Sequence, residues 1–150
     1  TWMPWLDVTQ SPDDTLGFIC RAQDELKSNK AVHLGIRFKG EIVGVSGFAS
    51  ISEPNHSAKI GYWVCQSVEG KGLVTRAVKS LVDVGFTHLG LNRIAICAAV
   101  GNERSAAVPK RLGFTLEGVR RQAEYLYDRY VDLQEFVLLK EEWLAAKESE

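Results

Sequence analysis

The chain predicts a mixed α+β fold, a mostly antiparallel central sheet with helices on both faces. Three observations carry that expectation. Apolar residues alternate with polar or small ones in three successive stretches of the first half. A helical period takes over at Gly70 and then trades places with strand-like alternation. No repeat, low-complexity tract or Pro/Ser-rich linker divides residues 1–150, so they read as a single domain.

The first helix opens at Ser11-Pro12-Asp13-Asp14, a hydroxyl cap, a proline at the first helical position and two carboxylates at the positive end of the dipole. Leu16, Ile19, Ala22 and Leu26 then recur at helical spacing, and the pattern ends near Asn29. Val32, Leu34, Ile36 and Phe38 mark a half-buried strand, Lys39-Gly40 a hairpin turn, and Ile42–Phe48 the returning strand. Beyond the Ser-Glu-Pro-Asn loop at 52–55, Ala58, Ile60, Tyr62 and Val64 alternate again. Leu73, Ala77, Leu81 and Val84 share a helical face that stops at Leu89-Gly90. Ile94, Ile96, Ala98 and Val100 form the next strand, residues 103–112 a helix ended by Gly113, and Phe114 starts another strand. Residues 130–139 read as the last strand and 140–148 as a terminal helix.

Composition narrows the class. With 45% hydrophobic residues, 25% charged residues and a net charge of -1, this is an ordinary globular chain without a large basic footprint for nucleic acid. No apolar run reaches the about 18 residues that a membrane span needs, and no secretion signal opens the chain. Cys20, Cys65 and Cys97 are scattered, odd in number and free of C-x-x-C spacing, which points to reduced, mostly buried thiols in a cytoplasmic protein. His33, His56 and His88 have no ligand spacing, so no metal is expected. Neither G-x-G-x-x-G after the first strand nor G-x-x-x-x-G-K-[ST] anywhere is present.

The chemistry concentrates in Cys65–Thr75, where two glycines join a strand to a helix. Glycines let backbone N–H groups approach an anion, and the helix N-terminus adds partial positive charge. A phosphate or pyrophosphate is the natural guest, with Lys71 and Arg76 at its rim; a plain turn that starts a helix is the alternative.

Gly61-Tyr62-Trp63-Val64 followed by Glu69-Gly70-Lys71-Gly72 resembles the acyl-CoA-binding motif of the GNAT acetyltransferases. The resemblance continues through Leu91-Asn92-Arg93-Ile94 and Asn102-Glu103-Arg104-Ser105 to Arg111-Leu112-Gly113-Phe114, and spans roughly residues 30 to 140. Leu116-Glu117-Gly118 and Gln122-Ala123-Glu124-Tyr125 are similar to the RimJ/RimL branch, the ribosomal-protein N-terminal acetyltransferases.

The resemblance implies a GNAT fold, acetyl-CoA as cosubstrate, no metal, and direct attack of an amine on the thioester in a ternary complex. It places cofactor contacts at Val64, Glu69, Gly70, Lys71, Gly72, Leu73, Val74, Thr75, Asn102 and Ser105. Two positions depart from the family's pyrophosphate loop. Glu69 stands where Gln or Arg is usual, so its carboxylate is expected to point away, and Val74 narrows the turn where a small residue is usual. Lys110 and Arg111 are candidates for the 3′-phosphate, or solvated helix charges.

For removal of the amine proton the match offers Glu124, a carboxylate beside an aromatic residue; an exposed charge at a strand end is its bland reading, and Glu117 and Asp128 are the runners-up. For the departing thiolate, many family members use a tyrosine where this chain has Pro109, so Ser105 is the candidate, with helix capping as its alternative. Pro109 is expected to kink its helix or remove one backbone hydrogen bond, at about 3 kcal/mol if uncompensated. Asn102 matches the asparagine that contacts the pantetheine arm, or simply forms a turn. A backbone N–H at Val64-Cys65 is expected to polarise the carbonyl; the four tryptophans read as core, with lining of the acceptor pocket or a subunit contact the alternative for Trp2 and Trp5.

Three functional readings follow: an N-acetyltransferase acting on a protein N-terminus, an acetyltransferase for a small amine such as a polyamine, aminoglycoside or amino acid, and a non-catalytic CoA-binding module. A homodimer is an option in this branch; neither a membrane nor nucleic acid is an expected partner. Arg120, Arg121 and Arg129 near the last hairpin favour an acidic acceptor. The family's core starts with a strand before the matched region, so the chain is expected to be N-terminally truncated and to lack that first strand.

Overall fold

A computed structural model describes residues 2–3 and 9–149; Trp5 lies outside the described residues. Ser11 caps α1 (Pro12–Lys27) through a full capping box with Asp14, as its sequence predicts. Strands β1 (Val32–Phe38), β2 (Glu41–Ser52) and β3 (Ser57–Val64) follow, then a 3₁₀ turn (Gln66–Val68) and α2 (Leu73–Thr87). The second half runs β4 (Arg93–Ala99), α3 (Glu103–Arg111), β5 (Thr115–Leu126), β6 (Arg129–Leu139) and α4 (Lys140–Glu148).

These strands form one six-stranded sheet ordered β1-β2-β3-β4-β6-β5. Only β3 and β4 pair in parallel, because α2 carries the chain back across the sheet between them. β2 is longer than its apolar period indicates. After Phe48 pairs with Ile60, Ser50 pairs with Lys59, so Ala49 is an extra residue in the ladder. A bulge of this kind shifts the alternation by one, and the period-two signal breaks there although pairing continues to Ser52.

Strand alternation sorts the two faces. Phe48, Ile60, Ile94, Ile96 and Phe136 pack with Val78, Leu81 and Phe86 of α2 and Ala106 of α3. Trp143 of α4 closes the same core beside Phe86, and its indole N–H donates to Asp83 at 3.0 Å. On β1, Ile36 joins the α2 side, whereas His33, of opposite parity, meets Glu25 of α1 at 3.1 Å. Helices therefore cover both faces.

The cysteines correct the expectation of buried thiols. Cys20 and Cys65 are exposed, on an outward helix position and at a strand end, and Cys97 is half-buried. Cys97 alternates out of the core because Ile96 and Ala98 occupy the α2 side.

Candidate active site

The site begins where two strands part. Parallel pairing of β3 and β4 stops at Ile60↔Ile96, although β3 continues to Val64 and β4 to Ala99. His56 at the head of β3 accepts from the Asn92 and Arg93 N–H groups, so even-numbered residues of β3 turn their backbone groups towards β4. Past Ile60 the same alternation points the polar groups of Tyr62 and Val64 into the widening gap. The Cys65 N–H is already donated to the Val43 carbonyl at 2.7 Å, so of the pair Val64-Cys65 it is Val64 that faces the gap.

The glycine turn lies at the end of β3. Gly70 and Gly72 have φ of 74° and 70°, a region side chains disfavour, which explains two glycines in four residues. Gly72 is the N-cap of α2 and no side chain caps that helix. Its first intrahelical bond is Arg76 N–H to Gly72 C=O, leaving the N–H groups of Leu73, Val74 and Thr75 outside the helix ladder. Leu73 is buried, and the Val74 side chain packs against two core clusters. The Arg76 guanidinium lies over the turn, 3.9 Å from where a Gly72 Cβ would stand. Lys71 instead sits over the Phe38 ring, 5.3 Å from its centroid. Glu69 is engaged by the guanidinium of Arg104 on α3, so its charge is paired outside the turn.

The first turn of α3 forms the other wall. Asn102, not Ser105, is the N-cap: its Oδ1 accepts from the Ser105 N–H at 3.2 Å. That removes capping as an account of the Ser105 hydroxyl and leaves the two Nδ2 donors of Asn102 for another partner. Pro109 lies inside the helix, so the carbonyl of Ser105, four residues earlier, has no intrahelical donor. The Tyr62 hydroxyl reaches across the gap and donates to that carbonyl at 2.9 Å. The Ser105 hydroxyl in turn lies 3.4 Å from the Tyr62 oxygen. Burial pushes the Tyr62 phenol up to about 12. In sequence Tyr62 stands as an alternating strand residue and within the Gly61–Val64 motif, and its contact with Ser105 was hidden because that partner is 43 positions away.

Glu124 lies on β5, on the opposite face of the sheet from α2 and α3. It is half-buried and pairs in register with Val131, which packs with Leu126 and Ala99 on the side away from α2 and α3. Trp2 joins this cluster, lies against Gly101 and carries the Arg129 guanidinium over its ring at 5.9 Å. With Val100, Tyr130 and Asp132, Trp2 and Arg129 line a surface hollow beside the end of β4.

The rival carboxylates are elsewhere. Glu117 makes a two-pronged bridge to Arg93, both contacts 2.6 Å, at the far end of β4 from the gap. Asp128 sits in the turn after β5, 3.5 Å from the Tyr125 hydroxyl. Lys110 bridges Glu103 at 3.7 Å and Arg111 is exposed at the end of α3. Among the described residues no group of three His, Cys, Asp or Glu side chains is placed to hold a metal.

The acetyltransferase (GNAT) domain family matches residues 1–115. The chain belongs to the GNAT acetyltransferases. Within the family it is 42% identical over 116 residues to the putative ribosomal N-acetyltransferase YdaF of Bacillus subtilis, covering 77% of this chain but 63% of that protein. It is 33% identical to the ribosomal-protein-serine acetyltransferase of Escherichia coli, covering 89% and 76% of the two chains. A solved structure of the ribosomal L7/L12 α-N-protein acetyltransferase RimL in complex with coenzyme A superposes with a TM-score of 0.88 at 29% identity, over 92% of this chain and 78% of that one. The chain thus spans under two thirds of YdaF's length and about three quarters of the other two.

An acyl-CoA fits the features on this GNAT scaffold. The uncapped N-terminus of α2 offers three backbone donors to a pyrophosphate. The backbone edge that β3 turns to the gap after Ile60 can pair with amides of an extended arm, and Asn102 keeps donors on the other wall.

Proposed function

We propose that this chain is an acetyl-CoA-dependent N-acetyltransferase acting on the N-terminal α-amine of a protein, of the ribosomal-protein type. The observation that carries the reading is the parting of β3 and β4 after Ile60↔Ile96, with Tyr62–Val64 along one wall and Asn102-Ser105 along the other. The relatives' ribosomal-protein substrates support the acceptor class.

The residues divide the work as follows. The N–H groups of Leu73, Val74 and Thr75 and the Arg76 guanidinium hold the pyrophosphate, beside Gly70, Lys71 and Gly72 of the turn. Asn102 holds the pantetheine arm through Nδ2. Acetyl-CoA supplies an activated acetyl group whose carbonyl carbon accepts the amine. The Val64 N–H, directed into the gap, stabilises negative charge growing on the acetyl oxygen. Glu124 takes the proton from the incoming ammonium on the opposite face, which leaves a neutral nucleophile. As the C–N bond forms and the C–S bond breaks, the Ser105 hydroxyl donates to the departing sulfur.

The acceptor enters on the Glu124 side, where Trp2 and Arg129 line the hollow. Among the described residues no helix is long and apolar enough to cross a membrane; a cytoplasmic location and a homodimer belong to the same proposal. Thiol release from acetyl-CoA, measured with a panel of N-terminal peptides and small amines, is the test. Turnover confined to peptides supports the proposal, turnover confined to polyamines or aminoglycosides moves the acceptor class, and coenzyme binding without turnover on any amine refutes catalysis.

A further inference from the structure

We infer that Tyr62 is a positioning residue for the transfer step, its hydroxyl completing the helix that Pro109 interrupts and thereby setting how Ser105 presents its own proton. The inference rests on the transfer reading above for its kinetic half, and on geometry alone for the rest.

A proline inside a helix leaves the carbonyl four residues earlier without a donor, and an unsatisfied half-buried carbonyl turns outward to find one. Here that carbonyl belongs to Ser105, and the Tyr62 hydroxyl supplies the donor at 2.9 Å from a different element, β3. A phenol has one proton. Because it is committed to the Ser105 carbonyl, the 3.4 Å contact between the two hydroxyl oxygens is made with Ser105 donating. That contact is long and weak, so the Ser105 hydroxyl can turn its proton to a nearby anionic sulfur at little cost.

The arrangement clamps both walls of the gap. Tyr62 is fixed by its strand and by the core around Ile60, and Ser105 by the Asn102 cap on its N–H. The single phenolic proton of Tyr62 is committed to the Ser105 carbonyl, so the hydroxyl left to turn towards the sulfur is that of Ser105. Pro109, which removes the family's tyrosine position, and Tyr62, which fills the gap that proline leaves, act as one unit.

The test is a cycle of Y62F, P109A and the double variant, with S105A as reference. Phenylalanine keeps the ring and its packing and removes only the hydroxyl. Y62F is expected to lower kcat about 5-fold, the size of one net hydrogen bond, with KM for acetyl-CoA nearly unchanged. In S105A the same change adds almost nothing. P109A restores an N–H to the Ser105 carbonyl, so Y62F in that background is expected to cost less, both in kcat and in the denaturant midpoint. Equal losses from Y62F with and without P109A, or a Y62F enzyme with parental kcat, would overturn the inference. A parent chain with no turnover sinks the transfer reading and the kinetic half with it, whereas missing coupling in the unfolding midpoints sinks the inference alone.

Discussion

The carboxylate of Glu69 is held by the guanidinium of Arg104, joining the glycine turn to the first turn of α3 across the mouth of the gap. A negative charge at the head of a pyrophosphate loop opposes binding, and this ion pair offsets it. Arg104 is 83% exposed, so the pair is screened by water and salt. R104A is expected to raise KM for acetyl-CoA by up to about 5-fold, the ceiling for an exposed pair, and adding E69Q should restore it. Steady-state kinetics at low and high salt check this. A penalty in R104A that E69Q does not relieve would show that Arg104 acts by another route.

Glu124, the proposed base, is half-buried and pairs in register with Val131 of the cluster that Trp2 joins. E124Q keeps the shape and removes the base. Its kcat/KM is expected to fall about 10²–10⁴-fold at pH values below the acceptor amine's own ionisation, where the amine arrives as ammonium. The deficit should shrink as pH rises and free amine accumulates. A deficit constant across the pH profile would remove Glu124 from proton transfer.

The bridge between Arg93 and Glu117 is structural rather than catalytic. Two hydrogen bonds from Arg93 hold the Glu117 carboxyl below its ordinary 4.5. A carboxyl lowered in the folded state contributes stability above its unfolded value, and the contribution is lost as pH falls through the folded value. Unfolding midpoints of E117Q should therefore sit below the parent at neutral pH and converge with it in acid, below about 4. Activity at neutral pH is expected to be unaffected.

Tyr62 titrates in the opposite sense. Its phenol is raised above the ordinary 10.0 to about 12, so the folded state keeps a proton that the unfolded state gives up. Stability from this group is complete below pH 10 and is lost as pH rises through 12. The parent should lose stability over that window relative to Y62F, which has nothing to titrate; parallel alkaline unfolding curves would contradict the buried hydrogen-bonded phenol.

The order of strands and helices was legible because each element carries its own signal. Ser11 with Asp14 caps a helix, Ile94, Ile96 and Ala98 alternate, and Gly70 and Gly72 mark a turn that only glycine tolerates. The resemblance to the family is what singled out Asn102, Ser105 and Glu124 as candidates. The extension of β2 past Phe48 was hidden, since the bulge at Ala49 reverses which side chains face inward.

By itself, then, the sequence determined the fold class, because local period, cap and turn chemistry act over a few positions, and its motifs carried the resemblance to the family. Only the tertiary structure decided how the candidate residues are held. It paired Glu69 with Arg104, drew Glu117 away to Arg93, made Asn102 the cap that Ser105 was a candidate for, and brought Tyr62 to the carbonyl freed by Pro109. Those partners lie between 3 and 43 positions apart in the chain; Tyr62 meets Ser105 across the gap left where β3 and β4 part, and Arg93 meets Glu117 because the sheet order brings β5 near β4, with β6 between.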